Sequence, residues 1–125
     1  MLKQAAAAIG MLMTGLTAGN GLAQDGDPAA GEKVFRQCQA CHVIDAEQNR
    51  VGPNLVGIIG RPAGAVEGFK YSDAMANSGI VWDETTIAEY LANPRSYVEG
   101  NRMAFAGLRN EQQIADVIAY IVSNQ

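Results

Sequence analysis

The chain has 125 residues, a length that fits one domain. Nine basic residues face thirteen acidic ones, for a net charge of −4. Such a balance speaks against nucleic acid as a partner, because phosphates demand a cationic surface.

The amino terminus differs from the rest. Lys3 is the only charge before Asp25, and the stretch between them is apolar to small. Gly21 and Ala23 stand at −3 and −1 of a plausible cut. Residues 1–23 are therefore expected to be a cleaved signal peptide, and residues 24–125 the mature domain. An uncleaved membrane anchor is the competing reading, weakened by Gly10, Gly15, Gly19 and Asn20. Loss of Lys3 with the leader makes the mature chain more acidic still.

Asp27 followed by Pro28 reads as a helix cap with proline in the first turn. The helix is expected to reach about Gln37, with Val34 and Phe35 inward. From Val43 to Tyr71 the chain is glycine-rich, contains Pro53 and Pro62, and has no helical period. A loop that long must be ordered by something other than its own backbone. Ser72 to Ser78 reads as a short helix closed by Gly79. Asp83 opens another helix through Leu91, stopped at Asn93-Pro94. Asn93 caps a further turn to Val98, ended by Gly100. Asn110 and Gln113 suggest a capping box before a last helix. There Ile114, Val117, Ile118 and Ile121 form one apolar stripe, with the first helix as its natural partner. No segment alternates with period two, so the fold class is all-α with long loops. The core is thin for such a chain, and a large apolar prosthetic group would fill it.

Cys38-Gln39-Ala40-Cys41-His42 holds both cysteines and the only histidine. A disulfide here would close a very small ring and remove little entropy from the unfolded chain. A redox-active dithiol wants a βαβ context that is absent, and zinc wants four ligands. C-x-x-C-H is the attachment signature of c-type haem. The two thiols add to the vinyl groups on one side of the porphyrin, and the histidine then lies beneath the iron. The sixth ligand decides the function. A cleaved chain would keep Met75, in a short helix where methionine is usually filler, and Met103, in the loop VEGNRMAFAG. Met103 is the expected distal ligand and His42 the proximal one.

The segments GEKVF, CQACH, VGPNLVGIIGR, GFKYSDA, GIVW, IAEYLANPRSYVEG, MAFAG and ADVIAYI occur in this order between Gly31 and Val122. In them the chain resembles class I cytochrome c, of the mitochondrial type and its bacterial relatives, the cytochromes c2. The resemblance implies the class I cytochrome c fold, with terminal helices packed together and shorter helices and loops wrapped around one haem. It implies one haem c held by Cys38 and Cys41. It implies that Gly31 and Phe35 pack against Val117 and Tyr120, and that the Pro53 carbonyl accepts from the second ring nitrogen of His42. Arg61, Tyr71, Ser72 and Trp82 would surround the propionates, Tyr90 would lie near the Met103 sulfur, and Phe105 would cover the haem edge. Read without the resemblance, Trp82 and Tyr71 could equally be core and Arg61 solvated. Met75 and Asn101 depart from the Asn and Thr common at these places, which implies an altered distal hydrogen-bond network.

By the same resemblance Arg50, Arg95, Arg102 and Arg109 ring the haem edge with Arg36 close by, a local cationic docking face on an acidic protein. The function implied is electron transfer without enzymatic turnover, by a monomer soluble in the periplasm. A quinol-cytochrome c oxidoreductase is the expected donor. A terminal oxidase, a photosynthetic reaction centre or a periplasmic reductase is the expected acceptor. The alternative is a haem enzyme or gas sensor with an open sixth site.

Overall fold

The computed structural model describes residues 25–125. The expected signal peptide lies outside the described residues. Among the described residues, five helices follow in order: α1 (Pro28–Phe35), α2 (Asp73–Ala76), α3 (Glu84–Ala92), α4 (Pro94–Tyr97) and α5 (Glu111–Ser123). Among the described residues there is no strand, only an isolated antiparallel bridge between Pro62 and Val81.

Each helix starts where a side chain can satisfy the free N–H groups of a first turn. Asp27 accepts from Ala29 N, Ser72 from Met75 N, Asn93 from Ser96 N and Asn110 from Gln113 N. Asp83 and Thr86 form a reciprocal capping box at α3. At α5 only the Asn110 half of the expected pair is present among the described residues.

The largest helix–helix contact is α1 on α5. Phe35, Val117 and Ile118 are almost wholly buried there. Each such side chain contributes about 2 kcal/mol through removal from water. The Phe35 and Tyr120 rings stand 5.1 Å apart. Gly31 makes the close approach possible, since a Cβ on it would overlap the Asp116 carbonyl.

The first helix ends as α-helix at Phe35, two residues before the expected Gln37. The backbone then tightens: Gln37 N donates to Val34 O, Cys38 N to Phe35 O, and Cys41 N to Cys38 O. These turns carry the two cysteines off the helix axis toward the centre.

The long loop is ordered by ties to other parts of the chain. Gly52 N donates to Cys41 O and Leu55 N to Val43 O. Asn49 Oδ1 accepts from both the backbone and the side-chain amide of Asn54. Trp82 accepts from Gly60 N and donates to Arg61 O, and Ala63 N donates to Ile80 O. No helix among the described residues is long and apolar enough to cross a membrane.

Candidate haem site

The loops together with α1, α2, α3 and α5 line a large, mostly apolar cavity of about 440 Å³. That lies in the range of sites that bury a small organic ligand. Cys38 and Cys41 are free thiols on its wall. Burial first, and the neighbouring Cys41 second, push the Cys38 thiol up to about 11. It is therefore a neutral thiol at ordinary pH, suited to an uncharged thioether in an apolar site.

His42 lines the same wall, and its Nδ1 lies 2.7 Å from Pro53 O. That partner fixes Nδ1 as the donor and leaves Nε2 with a free lone pair, able to ligate a metal. Burial holds the His42 pKa below its ordinary value; the Pro53 bond opposes this and the Arg61 charge adds to it. The ring is thus neutral near pH 7, the form that binds a metal. Gly52 lies flat against it, so that a Cβ there would sit 2.7 Å from Nδ1.

Met103 reaches the cavity from the loop between α4 and α5. Its Sδ lies 3.7 Å from the Tyr90 hydroxyl, a weak hydrogen bond to sulfur. Burial pushes Tyr90 up to about 12, so it is protonated and donates. Met75 also lines the cavity, from the buried face of α2.

The expected polar residues gather on the cavity as well. Arg61 is half-buried and donates to Val56 O at 3.1 Å, with its other donors available. Burial lowers its pKa, and nearby Tyr71 opposes this. Tyr71 accepts from Val66 N and Ser72 from Met75 N, so each hydroxyl keeps its proton to donate. Trp82 is buried, its ring centre 5.1 Å from that of Tyr90. Phe105 is half-buried on the same wall. The donor set thus pairs an apolar interior with several hydrogen-bond donors for anionic groups, which fits haem and its carboxylates.

Arg36, Arg50, Arg95, Arg102 and Arg109 are all exposed. Only Arg102 touches the cavity, where it donates to Tyr71 O at 2.7 Å. Sequence reasoning passed over three contributors. Leu55 and Ile58 supply apolar wall from a loop with no period to read. Gly52 backs His42. The arrangement of Asn101, seen earlier only as a departure from a common threonine, also became visible only in three dimensions.

Comparison with known proteins agrees with this geometry. The cytochrome c family model matches residues 28–125. The chain is 51% identical over 98 residues to cytochrome c type-1 of Ascaris suum, covering 78% of this chain and 88% of that one. It is 50% identical over 96 residues to cytochrome c2 of Blastochloris viridis, covering 76% of each. Among solved structures, cytochrome cH from Methylobacterium extorquens superimposes with a TM-score of 0.74 at 42% identity, over 78% of this chain and 99% of that one. The chain therefore belongs to the class I cytochrome c family, as an electron-transfer protein that carries haem c covalently through Cys38 and Cys41.

Proposed function

We propose that this electron carrier works in the periplasm with His42 and Met103 as the two axial ligands of its haem. The observation that carries the reading is the convergence of both side chains on the cavity that holds the thiols. His42 has Nδ1 engaged by Pro53 and Nε2 spare. The hydrogen-bond partner of the Met103 sulfur among the described residues is a weak donor, the Tyr90 hydroxyl.

When bound, haem supplies a one-electron ferric–ferrous couple. The protein's part is to bias and insulate that couple. A neutral thioether and an apolar wall favour the ferrous state and raise the potential. His42 and Met103 together would hold the iron and would leave oxygen and peroxide no site on it. Arg61, Tyr71, Ser72 and Trp82 offer the propionates hydrogen-bond donors.

The exposed Arg36, Arg50, Arg95, Arg102 and Arg109 supply the cationic face for a short-lived complex with membrane-bound redox partners. A quinol-cytochrome c oxidoreductase is the donor in this reading. A terminal oxidase, a reaction centre or a periplasmic reductase is the acceptor. The leader carries the chain out of the cytoplasm, and an intact mass beginning after Ala23 is the corresponding test.

The ligand assignment is tested with Met103→Ala in the ferric holoprotein. The sulfur-to-iron charge-transfer band in the far red is expected to disappear. Its persistence, or carbon monoxide uptake by the native ferrous protein, would overturn the assignment.

A further inference from the structure

We propose that Asn101 is the positioning residue that keeps the Met103 thioether in the cavity, acting through its carboxamide as a three-point clamp. The inference rests on Met103 being the distal ligand.

The segment that carries Met103 has no regular structure of its own. From Asn101 to Ala106 its residues alternate between half-buried and exposed, with Asn101, Met103 and Phe105 turned inward. The turn that feeds it passes through Gly100 at φ +90, a left-handed conformation that favours glycine. Such a segment depends on tertiary ties for its position.

Asn101 supplies the tie nearest the ligand. Its Nδ2 donates to Pro94 O and to Val98 O, both at 2.8 Å. Its Oδ1 accepts from Met103 N, also at 2.8 Å. Pro94 and Val98 stand at the two ends of the single turn of α4, and the same carbonyls also accept from the backbone N–H groups of Val98 and Asn101. One side chain thereby joins the end of a helix to the amide of the ligand residue. The next tie is Arg102 to Tyr71 O, and the far end is held by Leu108 N on Leu91 O.

The clamp needs a carboxamide. It uses two donors and one acceptor at once, which an Asn head group provides. A threonine hydroxyl has a single proton, so it could reach one carbonyl but not both. An aspartate has no donor and would face two carbonyl oxygens with its charge. The side-chain orientation is fixed by its partners, since the reverse would put Oδ1 against two carbonyls and Nδ2 against an N–H.

The test is competition for the iron by free imidazole in the ferric holoprotein at one fixed pH. Imidazole binds only when Met103 has left, so its apparent affinity reports the open fraction. With the clamp hydrogen bonds lost, Asn101→Ala is expected to bind imidazole about tenfold more tightly than wild type or beyond. Asn101→Thr should fall between, and Asn101→Asp should match or exceed the alanine variant. Asp116→Asn, away from the cavity, lowers global stability and should leave imidazole affinity unchanged.

An Asn101→Ala protein that binds imidazole as wild type does, with its far-red band intact, would overturn the clamp and leave Met103 ligation standing. Equal tightening in Asp116→Asn would also overturn it. A wild type without the band, or Met103→Ala with it, would instead overturn the ligation itself. Should Asn101→Ala fail to fold, amide exchange in the wild type decides: Met103 N–H should exchange far more slowly than Ala104 N–H, and equal rates reject the clamp.

Discussion

The backbone N–H of Asp27 donates to the carboxylate of Asp116 at 2.8 Å, across 89 positions of sequence. Asp116 is buried in the middle of α5 and also accepts from Gln112 Nε2 at 2.8 Å. One carboxylate thus receives the start of the first helix on the last. A charge inside the protein is tolerable because it has donors. Asp116→Ala leaves those donors unpaired and should cost about 2 kcal/mol in urea unfolding. Asp116→Asn keeps an acceptor and should cost less. Equal stability of the alanine variant and wild type would show that the tie contributes nothing.

Asp116 also marks a limit of what the chain discloses when read as a string. Ile114, Val117, Ile118 and Ile121 announce a buried face by their spacing, and the structure buries all four. An aspartate between them reads as the solvated side of the same helix. Its partner is a backbone amide far away in sequence, and no local pattern points there. The Asn49–Asn54 knot and the Asn101 clamp escape for a similar reason: each includes bonds to backbone groups, whose positions are set only by the fold. The cysteines and His42 were legible because their chemistry fixes their spacing. The wall made by Leu55 and Ile58 was not, since a loop wrapped around a prosthetic group obeys no helical or strand period.

The Tyr90 hydroxyl, 3.7 Å from Met103 Sδ, draws electron density from the sulfur by donating to it. With Met103 as the proposed ligand, a sulfur that donates more poorly would stabilise ferric iron less. Tyr90→Phe should therefore lower the midpoint potential, by roughly 30 mV, the equivalent of about 0.7 kcal/mol for one electron. Optical redox titration reads the shift directly. A rise in potential would mean that the hydroxyl acts in some other way on the site.

Acid should weaken the start of α3. The Asp83 carboxylate accepts from Thr86 N at 2.8 Å, and this backbone bond above all holds its pKa below the ordinary 3.8. A carboxyl depressed by folding stabilises above its unfolded value, and that stabilisation is lost as pH falls through the folded one. Asp83→Asn keeps an oxygen for the cap but does not titrate. Wild type should be the more stable at neutral pH, and the gap should close below about pH 3.8. Urea unfolding of both proteins between pH 6 and the onset of acid unfolding is the measurement. A gap constant across that span would rule the cap charge out as its source.

Gly52 is the glycine whose missing side chain bears directly on His42. An added Cβ would meet the His42 ring at three atoms, 2.7 Å from Nδ1 and 2.9 Å from Nε2. The ring cannot stay, and Gly52 N is itself held by Cys41 O, so the loop cannot easily retreat. The ring would turn and lengthen its 2.7 Å bond to Pro53 O. With His42 as the proposed ligand, that bond would leave electron density on the imidazole and make it a better donor to ferric iron. Weakening it should raise the midpoint potential of Gly52→Ala, by roughly 50 mV if about 1 kcal/mol of hydrogen bond is lost. The Nδ1–H proton resonance of His42 should shift in the same variant. A displaced resonance with an unchanged potential would separate ring position from ligand strength and refute the link between them. An unchanged resonance would mean the loop gives way instead of the ring.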